Sequence, residues 1–336
     1  MNILAIETSC DETSAAVVKD GKEVLSGIVA SQVEFHKKYG GIVPEVASRK
    51  HIEVINPIIR EALASAGTEL KDIDAVAVTY GPGLVGSLMV GICAAKAIAY
   101  ALDIPLIGVN HLEGHIYANF IPQSPNHPIP QFPFVCLIVS GGHTLLVLAK
   151  DHGKFQVLGR TRDDAAGEAF DKVARFLKLG YPGGPIIDRL AKEGDPNAIR
   201  FTRPMLGTGY DFSFSGIKTA VVNYVNKMTG DRKPATEDLV ASFQQAIADV
   251  LVEKTIRAAK EFNCKTVALA GGVSANSRLR KQLKEECFAN HLTTQIPPLE
   301  YCTDNAAMIG CAAYHHFRQE RISDLALQAV ASLRLV

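Results

Sequence analysis

Two histidines and a glutamate lie close together in the segment NHLEGH, residues 110–115. His111 and His115 are spaced i, i+4, so on a helix they share one face and could bind one metal ion. Asn110 is a suitable N-cap, which predicts a helix from His111. In H-E-x-x-H zinc proteases the glutamate directly follows the first histidine, whereas Glu113 is displaced by one position, about 100° around a helix. The spacing favours a metal site over a protease, with structural histidines as the alternative.

A metal held by two histidines needs a further ligand from elsewhere in the chain. Asp304, in CTDNAAM, is the candidate, at the expected start of a helix. Capping that helix is an equally good interpretation of the same aspartate. The segment ETSCDET places Glu7, Asp11 and Glu12 in a predicted turn. These carboxylates are either solvated, as is usual, or they hold a metal or supply a general base.

Glycine-rich loops follow predicted strands in TYGPGLVGS, VSGGHT and LAGGVSAN. Their backbone N–H groups could approach a phosphate, and a following helix N-terminus favours an anion. Each pair alone is more often a tight turn, but three in one chain favour a phosphate-bearing ligand. None matches the Walker A or dinucleotide fingerprint, which weakens both of those assignments. Asp171 in DDAAGEAFDK and Asp188 in GYPGGPIID could line a pocket or serve ordinary turns.

Strands that alternate with helices would position these loops. The sequence predicts helices near 45–66, 85–102, 168–178, 185–193 and 236–262, with others beginning at 111, 276 and 304, and strands at 75–79, 106–109 and 266–270. The hairpin pattern ILAIETSCDETSAAVVKDGK recurs as VCLIVSGGHTLLVLAKDHGK, which indicates a duplicated lobe. Residues 121–133 hold five prolines and are expected to connect the lobes. The expected division is 1–120, the connection 121–133, and 134–336 with a helical insertion at about 160–262.

The composition is that of a two-lobed α/β enzyme. The chain has 336 residues, 47% hydrophobic and 21% charged. Lys plus Arg equals Asp plus Glu at 35 each, so no bulk positive charge indicates a nucleic-acid binder. Seven cysteines without a C-x-x-C pair favour a reducing cytoplasm over a disulfide framework. We expect no membrane span, and interpret the apolar segment 84–102 as a buried helix.

The motifs IETSCDET, GPGLVGSL, NHLEGH, VSGGHT, DDAAGEAFDK, YPGGP, FSFSGIKT, AGGVSAN and CTDNAAM occur in one order along nearly the whole chain. In this the chain resembles the tRNA N6-adenosine threonylcarbamoyltransferase family, TsaD, formerly called Gcp or O-sialoglycoprotein endopeptidase, and its bacterial branch in particular. The resemblance implies an α/β actin-like ATPase (ASKHA) fold, with two ribonuclease-H-like lobes and mixed sheets around a central cleft. It also implies one divalent metal per subunit, Fe²⁺ or Zn²⁺, on His111, His115 and Asp304.

The resemblance further implies which residues contact substrates. Asp11 and Glu12 would face the reaction, with Asp11 as a candidate base. The substrate-binding positions would be Ile138, Val139, Ser140, Gly141, Gly142, Asp171, Gly184, Asp188 and Asn276.

The implied reaction transfers a threonylcarbamoyl group from threonylcarbamoyl-AMP to N6 of adenosine 37, in cytoplasmic tRNAs that read codons beginning with A. ATP or ADP are further candidate ligands of the same cleft, and TsaB- and TsaE-type proteins are the implied partners. The alternatives are a metallopeptidase of the glycoprotease type and a small-molecule ATP-dependent kinase of the same fold.

Overall fold

A computed structural model of the chain describes residues 1–122, 128–227 and 235–336. The first elements are β1 (Asn2–Glu7), β2 (Glu12–Lys19), β3 (Glu23–Ser31), α1 (Val33–Lys37), α2 (Pro44–Ser65), β4 (Ala75–Gly81), α3 (Val85–Leu102), β5 (Leu106–Asn110) and α4 (His111–Tyr117). Then follow β6 (Phe134–Val139), β7 (Thr144–Asp151), β8 (Lys154–Arg160), α5 (Ala166–Phe176), α6 (Gly183–Leu190) and α7 (Ser215–Lys227). The last are α8 (Thr236–Glu261), β9 (Thr266–Ala270), α9 (Ser277–Ala289), β10 (Thr293–Gln295) and α10 (Ala306–Arg318).

The chain folds into two compact units, of which the first is discontinuous in sequence. The first unit comprises Met1–Ile129 together with Pro297–Val336, and the second comprises Pro130–Ile296. This differs from the expected division, which kept 134–336 in one lobe. Helix α10 returns to the first unit because it packs on β1 and β2. Within the expected connection 121–133, residues 123–127 lie outside the described part of the chain.

The first unit is built on a five-stranded sheet in the order β3-β2-β1-β4-β5. Strand β1 pairs antiparallel with β2 and parallel with β4. Leu4 and Ile6 point to one face of β1, where they pack with apolar residues of α2 and α3. Helix α10 covers the other face, and a Cβ on its Gly310 would lie 2.7 Å from Val18 Cγ2. Helices on both faces explain why β1 is apolar at both of its alternating positions.

The second unit repeats this sheet. Its strands lie in the order β10-β9-β6-β7-β8, with β6 antiparallel to β7 and parallel to β9. Strand β6 therefore occupies the position of β1, and β7, β8, β9 and β10 those of β2, β3, β4 and β5. The predicted pair of mixed sheets with duplicated hairpins is confirmed, and each hairpin continues into a third strand, β3 or β8, that was not predicted.

The predicted helices are present, with ends that shift by a few residues. The helix expected from 185 to 193 is α6, Gly183–Leu190, and the one expected from 168 to 178 is α5, Ala166–Phe176. The helix expected at Asp304 begins at Ala306 instead. Glu7, expected in the turn, is the last residue of β1 and is fully buried.

Helix α3, Val85–Leu102, is the one helix among the described residues that is long and apolar enough to cross a membrane, with a mean hydropathy of 1.8 and 33% of its residues buried. Its buried positions face the sheet, as in many core helices, so length and composition are weak evidence for a membrane span. Those positions are Ser87, Leu88, Gly91, Ile92, Ala95 and Ala99.

Candidate metal centre

Helix α4 presents the two histidines at the carboxyl end of β5. Asn110 ends the strand and caps the helix, because its side-chain oxygen accepts hydrogen bonds from the backbone N–H groups of Leu112 (2.9 Å) and Glu113 (3.4 Å). The predicted N-cap is thus confirmed. His111 is 7% exposed and His115 is fully buried. The cap sets where the helix begins, and so sets which face carries the two imidazoles.

Asp304 lies directly before the N-cap of α10. Asn305, not Asp304, caps this helix, since its side chain accepts from the backbone N–H of Met308 at 2.9 Å. The capping interpretation of Asp304 is therefore wrong. A further hydrogen bond, from the Ala306 N–H to Ser14 Oγ at 2.9 Å, holds the start of α10 against β2. The Asp304 side chain is 18% exposed, which leaves the group open to solvent on one side.

The structure brings the three predicted ligands together in the first unit. Asp304 Oδ1 lies 3.4 Å from His111 Nε2 and 3.2 Å from His115 Nε2, and the three ligand atoms are all within 4.8 Å of one another. Ligands about 2.0–2.2 Å from a tetrahedral ion are separated by roughly 3.3–3.6 Å. The imidazole rings meet edge to face with centroids 4.6 Å apart. Two imidazoles and one carboxylate at this spacing fit Zn²⁺ or Fe²⁺.

The unsatisfied nitrogens of His115 are a further reason to place a cation here. Neither Nδ1 nor Nε2 makes a hydrogen bond within the described residues, although the ring is fully buried. Burying unpaired polar atoms costs free energy, and buried imidazole nitrogens ordinarily have partners. Coordination would use one of these two nitrogens.

Glu7 lies behind His111 and orients it. Its Oε2 is 3.1 Å from His111 Nδ1 and accepts from Thr79 Oγ1 at 2.5 Å, while its Oε1 accepts from the Ser9 N–H at 2.5 Å. Because the carboxylate accepts, His111 donates through Nδ1 and leaves the Nε2 lone pair towards Asp304. This carboxylate–histidine arrangement is common around bound metals.

The electrostatics follow from crowding carboxylates and imidazoles in a buried place. Burial opposes charge on His111, but the Asp304 and Glu7 carboxylates outweigh it and raise the pKa of His111 to about 9. Burial lowers the pKa of His115 below its ordinary value, although the nearby Asp304 carboxylate acts to raise it. Burial also acts to raise the pKa of Glu7, but the charge and hydrogen bond of His111 hold it below its usual range. The site thus has negative charge available for a cation.

The acidic turn lies beside this site. Asp11 is 7% exposed, and Glu12 begins β2. Burial, followed by the charges of Asp304 and Asp11, raises the pKa of Glu12 to about 10. His51 on α2 supports the turn through Cys10 O (3.0 Å) and Thr13 Oγ1 (2.7 Å). These carboxylates therefore differ from the solvated turn that was the alternative interpretation.

The predicted substrate loop, Ile138 to Gly142, lies in the second unit. Ile138 and Val139 end β6 and are fully buried, while Ser140, Gly141 and Gly142 turn into β7. A Cβ on Gly141 or Gly142 would meet nothing within 4 Å, so both backbones border open space. By contrast, a Cβ on Gly167 of α5 would lie 2.6 Å from Ser140 O, so that helix begins directly against the loop.

The other predicted substrate residues are linked by hydrogen bonds between the segments that follow β6 and β9. These two strands are parallel, so their carboxyl ends lie at the same end of the sheet. Asp171 Oδ1 accepts from the Gly183 N–H at 2.7 Å, and Asp188 Oδ1 accepts from the Ser277 N–H and Oγ at 3.0 and 2.8 Å. Asn276 caps α9 through the Leu279 N–H at 3.0 Å and donates to Gln244 Oε1 at 2.7 Å.

Gly184 lies in the first turn of α6 with nothing within 4 Å of an added Cβ. The side chains of Asp171, Asp188 and Asn276 thus also hold α5, α6 and α9 together.

Sequence reasoning missed the supporting residues of the metal centre. Glu7 was grouped with the turn, and Ser9 and Thr79 were not singled out. The available signal was a charged residue at the end of the apolar strand ILAIE, a position that β1 buries completely. Buried carboxylates almost always have partners, so Glu7 could have been placed against a cationic or donor group.

Comparison with solved structures concerns the fold alone, because the identities are low. HypF from T. kodakarensis matches 95% of this chain and 48% of its own with a TM-score of 0.64 and 15% identity. The (R)-2-hydroxyglutaryl-CoA dehydratase component A of Acidaminococcus fermentans matches 96% of this chain and 99% of its own, with a TM-score of 0.55 and 16% identity. The predicted actin-like ATPase (ASKHA) fold is confirmed.

Comparison with sequences is more specific. The sequence model of the TsaD family, described as tRNA N6-adenosine threonylcarbamoyltransferase, matches residues 23–311. A protein of that name from Clostridioides difficile is 54% identical over 334 residues, covering 99% of this chain and 98% of its own. Another from Clostridium botulinum is 57% identical over 338 residues, covering 100% and 98%. The chain belongs to the tRNA N6-adenosine threonylcarbamoyltransferase family.

Proposed function

We propose that this chain transfers the threonylcarbamoyl group from threonylcarbamoyl-AMP to N6 of adenosine 37 in tRNAs that read codons beginning with A, and releases AMP. The observation that carries the proposal is the full-length identity of 54–57% to relatives named for this transfer. The His-His-Asp arrangement in the first unit supports the same assignment.

The chemistry explains what the protein has to supply. The donor is a mixed anhydride with AMP as a good leaving group, whereas the exocyclic amine of adenosine is a poor nucleophile. Alignment of the two reactants and stabilisation of the charge on the reacting carbonyl or leaving phosphate are therefore the main requirements. The adenosine must be unstacked from its neighbours to be reached.

His111, His115 and Asp304 would hold one divalent ion, Fe²⁺ or Zn²⁺. Such an ion would supply electrostatic stabilisation of the charge that develops on the reacting carbonyl. With the ion bound, Glu7 would accept from His111 Nδ1 and so direct the lone pair of Nε2 to the ion. Asp11 and Glu12 lie next to these ligands. We assign to Asp11 the role of candidate base, which takes the proton from the attacking amine, whereas Glu12, whose pKa is raised to about 10, would donate a hydrogen bond. The low exposure of Asp11, 7%, excludes much of the competing water.

The donor's phosphate and adenosine are assigned to the second unit. The open backbones of Gly141 and Gly142, which follow Ile138, Val139 and Ser140, would offer N–H groups to the phosphate. The nucleoside would be contacted by residues that follow the same strand ends, namely Asp171, Gly184, Asp188 and Asn276. ATP and ADP contain the same adenosine monophosphate group as the donor, so either is a candidate ligand of this site.

The proposed partners are tRNA and TsaB- and TsaE-type proteins, and the proposed location is the cytoplasm, with no membrane partner. Exposed apolar side chains on α2 and α3 offer a surface for a protein partner: Ile52 is 64% exposed, Met89 52% and Tyr100 77%. Side chains of this kind are enriched at protein interfaces.

The decisive experiment incubates the chain with its TsaB- and TsaE-type partners, unmodified tRNA and threonylcarbamoyl-AMP, and measures the modified nucleoside after digestion. We expect modified adenosine from the parent, and loss of activity with retained fold in His111→Ala and His115→Ala. The exposed replacement Glu23→Gln in β3 is the matched control. Parallel incubations with a glycoprotein, and with ATP and sugars, test the peptidase and kinase alternatives. Metal-dependent cleavage or sugar phosphorylation without modified adenosine would refute the proposal.

A further inference from the structure

Glu113 lies between the two histidines in sequence but on the other side of α4. Each residue rotates by about 100°, so Glu113 is roughly 160–200° around the helix from both His111 and His115. Its side chain is buried, and its Oε1 lies 2.9 Å from His316 Nε2. A carboxylate only accepts, so His316 donates through Nε2. The glutamate of NHLEGH thus binds a residue of α10.

Helix α10 connects this contact to the metal site. Asp304 lies two residues before Ala306, the first residue of α10, and His316 lies in the last turn of that helix. Ala306 and His316 are separated by about 15 Å along the helix axis. Helix α4 therefore meets the beginning of α10 through its histidine pair and the end of α10 through Glu113.

The packing between the two helices leaves little room for adjustment. A Cβ on Gly114 would lie 2.6 Å from Ile309 Cδ1 of α10. The side chains of Glu113 and His316 are only 5% and 4% exposed, so breaking their bond leaves a charged group buried without its partner. Arg321 Nη1 is 4.0 Å from the same Glu113 oxygen and is 47% exposed, so it is screened by solvent.

We propose that the Glu113–His316 hydrogen bond positions the metal centre by setting the rotation of α4, so that His111 and His115 face Asp304. Glu113 and His316 are positioning residues that act through the two helices. A change in the length of the Glu113 side chain would turn α4 and separate the histidine nitrogens from the Asp304 carboxylate. The inference rests on the metal site proposed above and assigns a role to the displaced glutamate of the H-x-E-x-H pattern.

Two conservative replacements distinguish positioning from a simple charge effect. Glu113→Gln keeps the length and an acceptor oxygen but removes the charge, whereas Glu113→Asp keeps the charge but is one methylene too short to reach His316. His316→Gln, which retains a donor, and His316→Leu, which does not, repeat the contrast from the other helix. Ile92→Ala in the buried face of α3 controls for loss of stability alone, because its cavity lies in a different helix.

The full-length chain is stripped with a chelator and titrated with Co²⁺ without air, following the visible absorption bands of the bound ion, with thermal unfolding measured in parallel. We expect Glu113→Asp and His316→Leu to bind Co²⁺ about tenfold more weakly with weakened bands, as for other supporting groups around metals. Glu113→Gln, His316→Gln and Ile92→Ala should retain the parent affinity and spectrum.

Any other pattern of Co²⁺ affinities among these variants overturns the positioning role. Equal Co²⁺ affinity of Glu113→Asp and Glu113→Gln is one such result. If the parent chain itself binds Co²⁺ no better than His111→Ala, the metal site fails instead, so the two failures are distinguishable.

Discussion

Replacing Glu7 with glutamine tests whether the buried carboxylate behind His111 tunes the metal site. In the parent, Glu7 Oε1 accepts from the Ser9 N–H, and Oε2 accepts from Thr79 and lies 3.1 Å from His111 Nδ1. An amide cannot accept at both ends. If the NH₂ group of the glutamine faces Ser9, it meets the Ser9 N–H, and neither of these two donors has an acceptor. If its NH₂ faces His111, Nδ1 must accept, and the proton moves to Nε2, the nitrogen needed for the metal.

The magnitude follows from the burial of this group. Loss of a hydrogen-bonded partner behind a ligating histidine weakens metal binding by about tenfold to hundredfold, which is about 1.4–2.8 kcal/mol of binding free energy. Glu7 is fully buried, so water cannot replace the carboxylate, and we expect the upper part of that range.

The assay is a competition titration of the chelator-treated chain with Zn²⁺ and a chromophoric chelator at pH 7.5, with Glu23→Gln as the matched surface control. Thermal unfolding of the metal-free variants separates lost affinity from lost fold. A dissociation constant for folded Glu7→Gln equal to that of the parent would refute the orienting role of the carboxylate.

The remaining predictions concern the pKa of His111, the helix cap and the substrate loop. Because Asp304 and Glu7 raise the pKa of His111 to about 9 against burial, the metal-free imidazole is protonated at neutral pH. An incoming ion must displace that proton, so Zn²⁺ affinity should rise about tenfold per pH unit from 6.5 to 8.5, and a flat titration would contradict this. Asn110→Ala should cost about 1 kcal/mol of unfolding free energy through the lost cap and should weaken Zn²⁺ binding. Gly167→Ala places a Cβ 2.6 Å from the Ser140 carbonyl. It should weaken donor-nucleotide binding measured by calorimetry, while Gly207→Ala, where an added Cβ meets nothing within 4 Å, should not.

Local sequence patterns predicted the features that depend on interactions between residues close in sequence. The cap by Asn110, the i, i+4 histidine pair and the repeated hairpins depend on neighbouring residues and on alternation within strands, and each is present. The ASKHA fold came from the resemblance of whole motifs and not from periodicity. The helix at Asp304 was placed two residues too early, because Asp and Asn are nearly equivalent as N-caps in a sequence.

What could not be predicted depends on contacts between distant parts of the chain. The return of Pro297–Val336 to the first unit is determined by the packing of α10 on β1 and β2, and no local pattern records it. The same holds for the contact of Glu7 with His111 and of Glu113 with His316. The short β10 is too brief for an alternating pattern to reveal.

The discontinuity of the first unit has a consequence for biosynthesis. His111 and His115 leave the ribosome long before Asp304, and the whole of the second unit is translated between them. A nascent chain that ends before α10 lacks the carboxylate and exposes the face of β1 and β2 that α10 later covers. The proposed ion could therefore be captured by all three ligands only after Asp304 has left the ribosome.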